Sequence, residues 1–177
     1  MTKTFPIQSI MTHYEVMIDD EELNKNLMRE IDKQVDKHDR GTCVKSYMTD
    51  WDMREKPGFK ELIKITNDLV KDIQHQHHDL RIPLYLGDIW GARYESNDET
   101  IEHNHYPASW SFVYYPNTID EAPGLTFKEA DVERKIKKGM LLFFDSKLIH
   151  SVRKKEYVGH RYCVAGNYVS KAIATFK

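Results

Sequence analysis

The sequence predicts a mainly β domain carried on N-terminal helices, and three observations lead there. From residue 84 onward, short runs rich in β-branched and aromatic residues recur, with Gly or Pro turns between them. Ahead of them lie two stretches whose apolar residues recur every three or four positions, the mark of one-sided helices. The length of 177 residues suits one domain that buries about two-thirds of its unfolded surface. Strands at this spacing make a sandwich or barrel. The expected organisation is a single domain over 1–177, with N-terminal strands and supporting helices in 1–83 and the β core in 84–177.

Residues 5–18 alternate loosely and read as one or two short strands. Asp19 or Asp20 then caps a helix whose apolar face is Leu23, Leu27, Ile31 and Val35. A polar link containing Gly41 and residues 46–56 follows. Pro57 opens a second helix with Phe59, Leu62, Ile63, Leu69, Val70 and Ile73 on one face. Apolar residues at this spacing pack against a core, so neither helix is assigned a chemical role. The second helix runs out in Gln74-His75-Gln76-His77-His78. Such a cluster at a helix end is solvated and favoured by the local dipole, and it lacks a strand framework and a distant third ligand. His13, His38 and His160 stand alone and read as surface or packing residues.

The β half begins with strand-like runs over 84–86 and 89–94, a Ser96-Asn97-Asp98 turn, and a further run over 103–105. Others follow over 109–115, 125–128, 140–144, 150–154 and 161–169, separated by Pro116, Pro123-Gly124, Gly139 and Gly159.

A formal net charge of −2, with both signs spread along the chain, gives no electrostatic footprint for duplex nucleic acid, so general nucleic-acid binding is not expected. Lys135, Lys137, Lys138, Arg153, Lys154 and Lys155 make the C-terminal half locally basic and read as solvated loops. The first residues, MTKTFPIQ, lack an apolar signal segment, and no apolar run approaches the roughly eighteen residues that cross a bilayer. A soluble, cytoplasmic protein with no membrane partner is expected. Cys43 and Cys163 lie far apart, the second in a strand-like run, and read as free thiols in a reducing compartment.

Chemistry concentrates in His103 and His105, written His-Asn-His, and in His150, forty-five residues after His105. Helical zinc motifs space two histidines by about four residues. A pair at i and i+2 suits strands instead, because alternate strand residues share a face. The pair precedes the run SWSFVYY and His150 follows the run MLLFF, so all three are expected at strand ends on one face of a metal.

These residues resemble the ferrous iron and 2-oxoglutarate dependent oxygenases, particularly the prolyl-hydroxylase-like branch and its short phage and bacterial relatives. That family carries His-x-Asp or His-x-Glu, then a distant His, then an Arg. Here His103-Asn104-His105 is followed by Leu141-Leu142-Phe143-Phe144-Asp145-Ser146, His150, and Arg161 eleven residues on, so the resemblance spans roughly the C-terminal half. It implies a double-stranded β-helix, a cupin-like jelly roll with the helices packed on one sheet. It implies a hydroxylase using Fe(II), O2 and 2-oxoglutarate as cosubstrate, with decarboxylation to succinate. His103, His105 and His150 become metal ligands, and Arg161 the partner of the distal carboxylate of 2-oxoglutarate, which a planar guanidinium can grip in bidentate fashion. Tyr94 and Tyr115 match positions that contact the cosubstrate. Asn167 is a further cosubstrate candidate, and Trp110 is placed near the pocket mouth. The substrate ranks as peptide or protein first and small molecule second.

The chain departs from the family at one ligand, where His105 replaces the carboxylate. Three readings stay open: His105 is a third imidazole ligand, Glu102 supplies the carboxylate, or two protein ligands are completed by a bound anion. Period two puts His105 on the face of His103 and sends Glu102 to the opposite one, unless a bulge intervenes. Two rival functions are carried alongside. One is a cupin-type three-histidine dioxygenase acting on a small molecule without 2-oxoglutarate. The other is a non-enzymatic jelly-roll binding module.

Overall fold

Residues 13–35, 42–76 and 82–170 are described by the computed structural model. Strand β1 (His13–Met17) realises the later part of the run expected over 5–18, whose earlier part lies outside the described residues, as do His38, Gly41, His77 and His78. Helix α1 (Glu21–Asp32) starts where the Asp20 carboxylate accepts a 2.9 Å hydrogen bond from the Leu23 N–H, satisfying a donor that the first turn leaves free. Leu23, Leu27 and Ile31 on its inner face are fully buried. The link before the second helix is a correction: it holds β2 (Val44–Lys45) and β3 (Tyr47–Met48). Strands of two residues are too short for any periodicity to register. Helix α2 (Pro57–Gln76) buries Phe59, Leu62, Val70 and Ile73 as its pattern predicts.

The β half continues as β4 (Leu84–Tyr94), β5 (Glu99–His103), β6 (Trp110–Tyr115) and β7 (Leu125–Phe127). A 3-10 turn, Lys128–Ala130, leads to β8 (Val132–Arg134), which the sequence pattern does not announce. The last strands are β9 (Met140–Asp145), β10 (His150–Val152) and β11 (Arg161–Ser170). They form a six-stranded sheet, β1-β9-β6-β11-β4-β3, and a five-stranded sheet, β2-β5-β10-β7-β8. The long pairs β11 with β4 and β6, and β6 with β9, are antiparallel.

The large sheet is covered on both faces, and that explains its composition. Leu141 and Phe143 of β9 face the helices, in one core with Leu23, Leu27 and Leu62. Met140, Leu142 and Phe144 face the space between the sheets, in a second core with Val113, Phe127 and Val152. A strand buried on both sides reads as a continuous apolar run rather than an alternating one, as 140–144 does. Burying each such side chain stabilises the fold by roughly 1.5–3 kcal/mol. Three phenols on the helix side tie the layers together. Tyr114 donates to Asn24 Oδ1 at 2.6 Å, Tyr162 to Asp32 at 2.9 Å, and Tyr168 to Asn67 Oδ1 at 2.8 Å.

The two runs expected over 84–86 and 89–94 are one strand broken by a bulge. The register against β11 passes from Asp88 to Leu86, skipping Gly87. An extra residue inverts the alternation, so Leu84 and Leu86 face the helices while Trp90, Ala92 and Tyr94 face the other sheet. Gly91 lets α1 approach β4 closely: a Cβ there would stand 2.4 Å from Ile31 Cγ1. Cys43 and Cys163 are both free thiols. Among the basic residues of the C-terminal half, Lys138 pairs with Glu21, Arg153 with Glu133 and Lys154 with Glu99, all at the surface. Among the described residues, no helix is long and apolar enough to cross a membrane.

Candidate metal centre and anion pocket

His103 closes β5 and His150 opens β10, and the two are direct partners across that antiparallel pair. His105 is displaced from its expected place, because β5 stops at His103 and the run over 103–105 is not a strand throughout. The chain leaves the small sheet here to reach β6 in the large one, and the His105 N–H donates to the Ser146 carbonyl at 2.8 Å instead of to a strand neighbour. Its ring still turns toward the other two. Ring centroids lie 4.4 Å apart for His103 and His150, 4.9 Å for His103 and His105, and 5.0 Å for His105 and His150. Potential ligand atoms from the three all lie within 4.8 Å of one another.

Backbone carbonyls set the tautomers. His103 Nδ1 is 2.8 Å from the Ile101 oxygen, and His150 Nδ1 is 2.9 Å from the Leu148 oxygen. A carbonyl only accepts, so Nδ1 carries the proton and Nε2 keeps its lone pair, the usual way in which a backbone oxygen orients a metal-binding imidazole. Burial, then the nearby imidazoles, hold His105 down to about 3 and His150 down to about 4. Burial lowers His103 too. All three are therefore neutral near pH 7, as metal donors must be. Glu102 points away and pairs with Lys128 at the surface, where its side chain is 51% exposed.

The cavity that the three imidazoles line is also lined by Tyr94, Tyr115, Cys163 and Arg161. Arg161 is 2% exposed. Its Cζ sits 4.6 Å from the ring centroid of Tyr94 and 5.3 Å from that of Tyr115, inside the range of cation–π attraction. Its Nε and Nη1 have no hydrogen-bond partner among the described residues, and neither does the Tyr115 hydroxyl. The side chains acting on its charge are Tyr115, Cys163, Tyr94 and Tyr157, with no carboxylate among them. A buried ion without a counter-ion costs several kcal/mol. Two ring faces offset only part of that, so the pocket suits a small anion that brings its own charge. The Tyr94 hydroxyl is 2.5 Å from Thr100 Oγ1, and burial pushes its pKa up to about 12, which keeps it protonated.

Two sequence candidates are corrected. Asn167 does not line the cavity. Its Oδ1 accepts from Ser111 at 2.7 Å and its Nδ2 donates to Asp88 at 2.8 Å, so its amide serves a buried chain of polar groups that continues from Ser111 to Ser146. Trp110 packs against the helix-side core, stacked on Phe143 at 5.3 Å, because its position in β6 puts it on the outer face. Sequence reasoning missed Cys163, which alternation from Arg161 would have placed in the cavity. It also missed Trp90, which lines the cavity, lies 6.0 Å from His105, and meets the 41% exposed Trp51 edge-on at 4.7 Å.

Neither a protein-family model nor a curated protein matches the sequence. Solved structures match the fold along nearly the whole chain. A prolyl-4-hydroxylase from Pseudomonas putida superposes with a TM-score of 0.70 at 16% identity, covering 90% of this chain and 92% of that one. The viral collagen prolyl hydroxylase of Paramecium bursaria Chlorella virus-1, in its 2-oxoglutarate complex, gives 0.68 at 16% identity, with coverages of 88% and 94%. HygX from Streptomyces hygroscopicus, with nickel and 2-oxoglutarate bound, gives 0.69 at 11% identity, with coverages of 91% and 84%. Two facing antiparallel sheets, helices on the larger one, and this match to solved prolyl hydroxylases identify the fold as a double-stranded β-helix.

Proposed function

We propose that the chain is an iron(II) and 2-oxoglutarate dependent oxygenase of the prolyl-hydroxylase-like branch, a hydroxylase built as a single domain with residues 84–177 as catalytic core and 1–83 as support. The observation that carries this reading is a buried guanidinium, without a counter-ion among the described residues, in the same cavity as three converged, neutral imidazoles. Such a cavity asks for a molecule that chelates a metal at one end and carries a negative charge at the other.

His103, His105 and His150 hold the metal, each through a ring nitrogen kept free of its proton. Bound iron(II) supplies dioxygen activation, coupling oxidative decarboxylation of the oxo acid to hydroxylation of a substrate C–H bond. Three protein donors would leave the other positions of a bound metal open to the oxo acid and dioxygen. Arg161 fixes the distal carboxylate by paired N–H donors, and the Tyr94 and Tyr115 rings wall the pocket and exclude water, which strengthens that ion pair. The substrate we favour is a peptide or protein, since prolyl hydroxylases stand among the structural neighbours; a small molecule ranks second.

Anaerobic addition of ferrous iron and 2-oxoglutarate tests the reading through the visible charge-transfer band of the metal chelate. Admission of oxygen should then yield succinate. A three-histidine dioxygenase that needs no oxo acid predicts no band, and a binding module predicts a band without succinate; either result rejects the proposal.

A further inference from the structure

Four polar side chains, Asp88, Asn167, Ser111 and Ser146, form a row across the large sheet. Asp88 and Ser111 are both register partners of Asn167, one on each side of β11. Each stands two residues from a member of the core between the sheets, namely Trp90, Ala165 and Val113, so alternation puts the row on that face. Asn167, Ser111 and Ser146 are all buried. Polar groups in such a place cost free energy unless they are hydrogen-bonded to one another.

Counting protons gives the row a direction. An ionised carboxylate only accepts, so Asn167 turns its Nδ2 to Asp88 at 2.8 Å and its Oδ1 to Ser111, from which it accepts at 2.7 Å. That uses the one proton of the Ser111 hydroxyl. The Ser146 hydroxyl, 2.8 Å away, therefore donates to Ser111. Every bond runs toward Asp88, and the carboxylate orders the hydroxyl at the far end.

Ser146 belongs to the turn over 145–148 that joins β9 to β10, closed by the Leu148 N–H on the Asp145 carbonyl at 3.0 Å. This turn serves two of the three imidazoles. The Ser146 carbonyl accepts from the His105 N–H at 2.8 Å, and the Leu148 carbonyl holds His150 Nδ1 at 2.9 Å. His105 depends on such an anchor because β5 stops at His103 and no strand ladder fixes it.

We infer that Asp88, Asn167, Ser111 and Ser146 are positioning residues for the metal site, a one-way chain of hydrogen bonds that fixes the turn on which His105 and His150 both rest. This rests on the metal-binding half of the proposed function and is independent of the cosubstrate. Apolar contacts are non-directional, whereas hydrogen bonds weaken steeply when misaligned, so the row holds the turn in one place where a greasy seam would let it slide.

Loading with cobalt(II) tests this, because its affinity and its visible ligand-field bands both report how the donors are placed. Ser111→Ala cuts the row and should weaken cobalt about tenfold, the low end of the range for groups that orient metal ligands, and shift the bands. Asp88→Asn keeps the shape, removes the charge that sets the direction, and should change both in the same sense. Tyr114→Phe removes a buried hydrogen bond from the opposite face of β6 and should lower stability with cobalt affinity and bands unchanged. If Ser111→Ala does not fold, Asp88→Asn decides alone. Wild-type affinity and bands in either of the first two variants, or equal changes in Tyr114→Phe, overturn the inference while leaving the proposed function standing. Absence of cobalt binding by wild type overturns both.

Discussion

His105 is held by its backbone, where the N–H reaches the Ser146 carbonyl, while its ring completes the imidazole trio. Glu102 faces outward to Lys128. His105→Ala should therefore lose stoichiometric iron, while His105→Asp, which restores a carboxylate donor, should keep part of it; elemental analysis after desalting reads both. Glu102→Gln should keep nearly all of the iron, since Glu102 pairs with Lys128 at the surface, away from the imidazoles. Loss of iron in Glu102→Gln with retention in His105→Ala would reverse the ligand assignment. The same imidazoles set a pH dependence in the metal-free protein. Their folded pKa values lie near 3 for His105 and 4 for His150, below the ordinary 6.5. Over that interval the unfolded chain binds more protons than the folded one, so stability falls as pH drops from about 6.5 towards 3. Urea midpoints across the interval should fall in wild type and fall less in His150→Gln.

Each element was legible to the degree that its pattern had room to repeat. Helices of twelve and twenty residues declared their faces, and a cap at Asp19 or Asp20 that the structure places on Asp20. Both-sided burial made 140–144 stand out, whereas β2, β3 and β8 are too short to leave a pattern. The site was partly legible because ligand spacing is local to strand ends, and the resemblance supplied Arg161, Tyr94 and Tyr115. Asn167 misled because alternation from Arg161 reports a face and not how far along the strand the cavity extends. The phenol ties between layers give an element-scale prediction. Tyr114→Phe leaves Asn24, 2% exposed, short of a donor, and should lower stability by about 1–3 kcal/mol in chemical denaturation without altering metal binding. An unchanged denaturation midpoint would mean that the tie contributes nothing net.

For the molecule as a whole, ligand binding and stability are linked. At one hundred times its dissociation constant, 2-oxoglutarate should stabilise the metal-loaded protein by about 2.7 kcal/mol. Arg161→Ala should abolish most of that gain, and a variant with the full gain would dissociate the cation from the cosubstrate. The placement of the two halves of the site carries this further. His103 and His150 belong to the small sheet and Arg161 to the large one. A molecule gripped at both ends would be a cross-brace between the sheets. Amide exchange should accordingly slow on cosubstrate binding along β5, β10 and the first residues of β11, on both sides of the gap, while α1 and α2, tied to the large sheet by Tyr114, Tyr162 and Tyr168, should exchange at the same rate with the brace or without it.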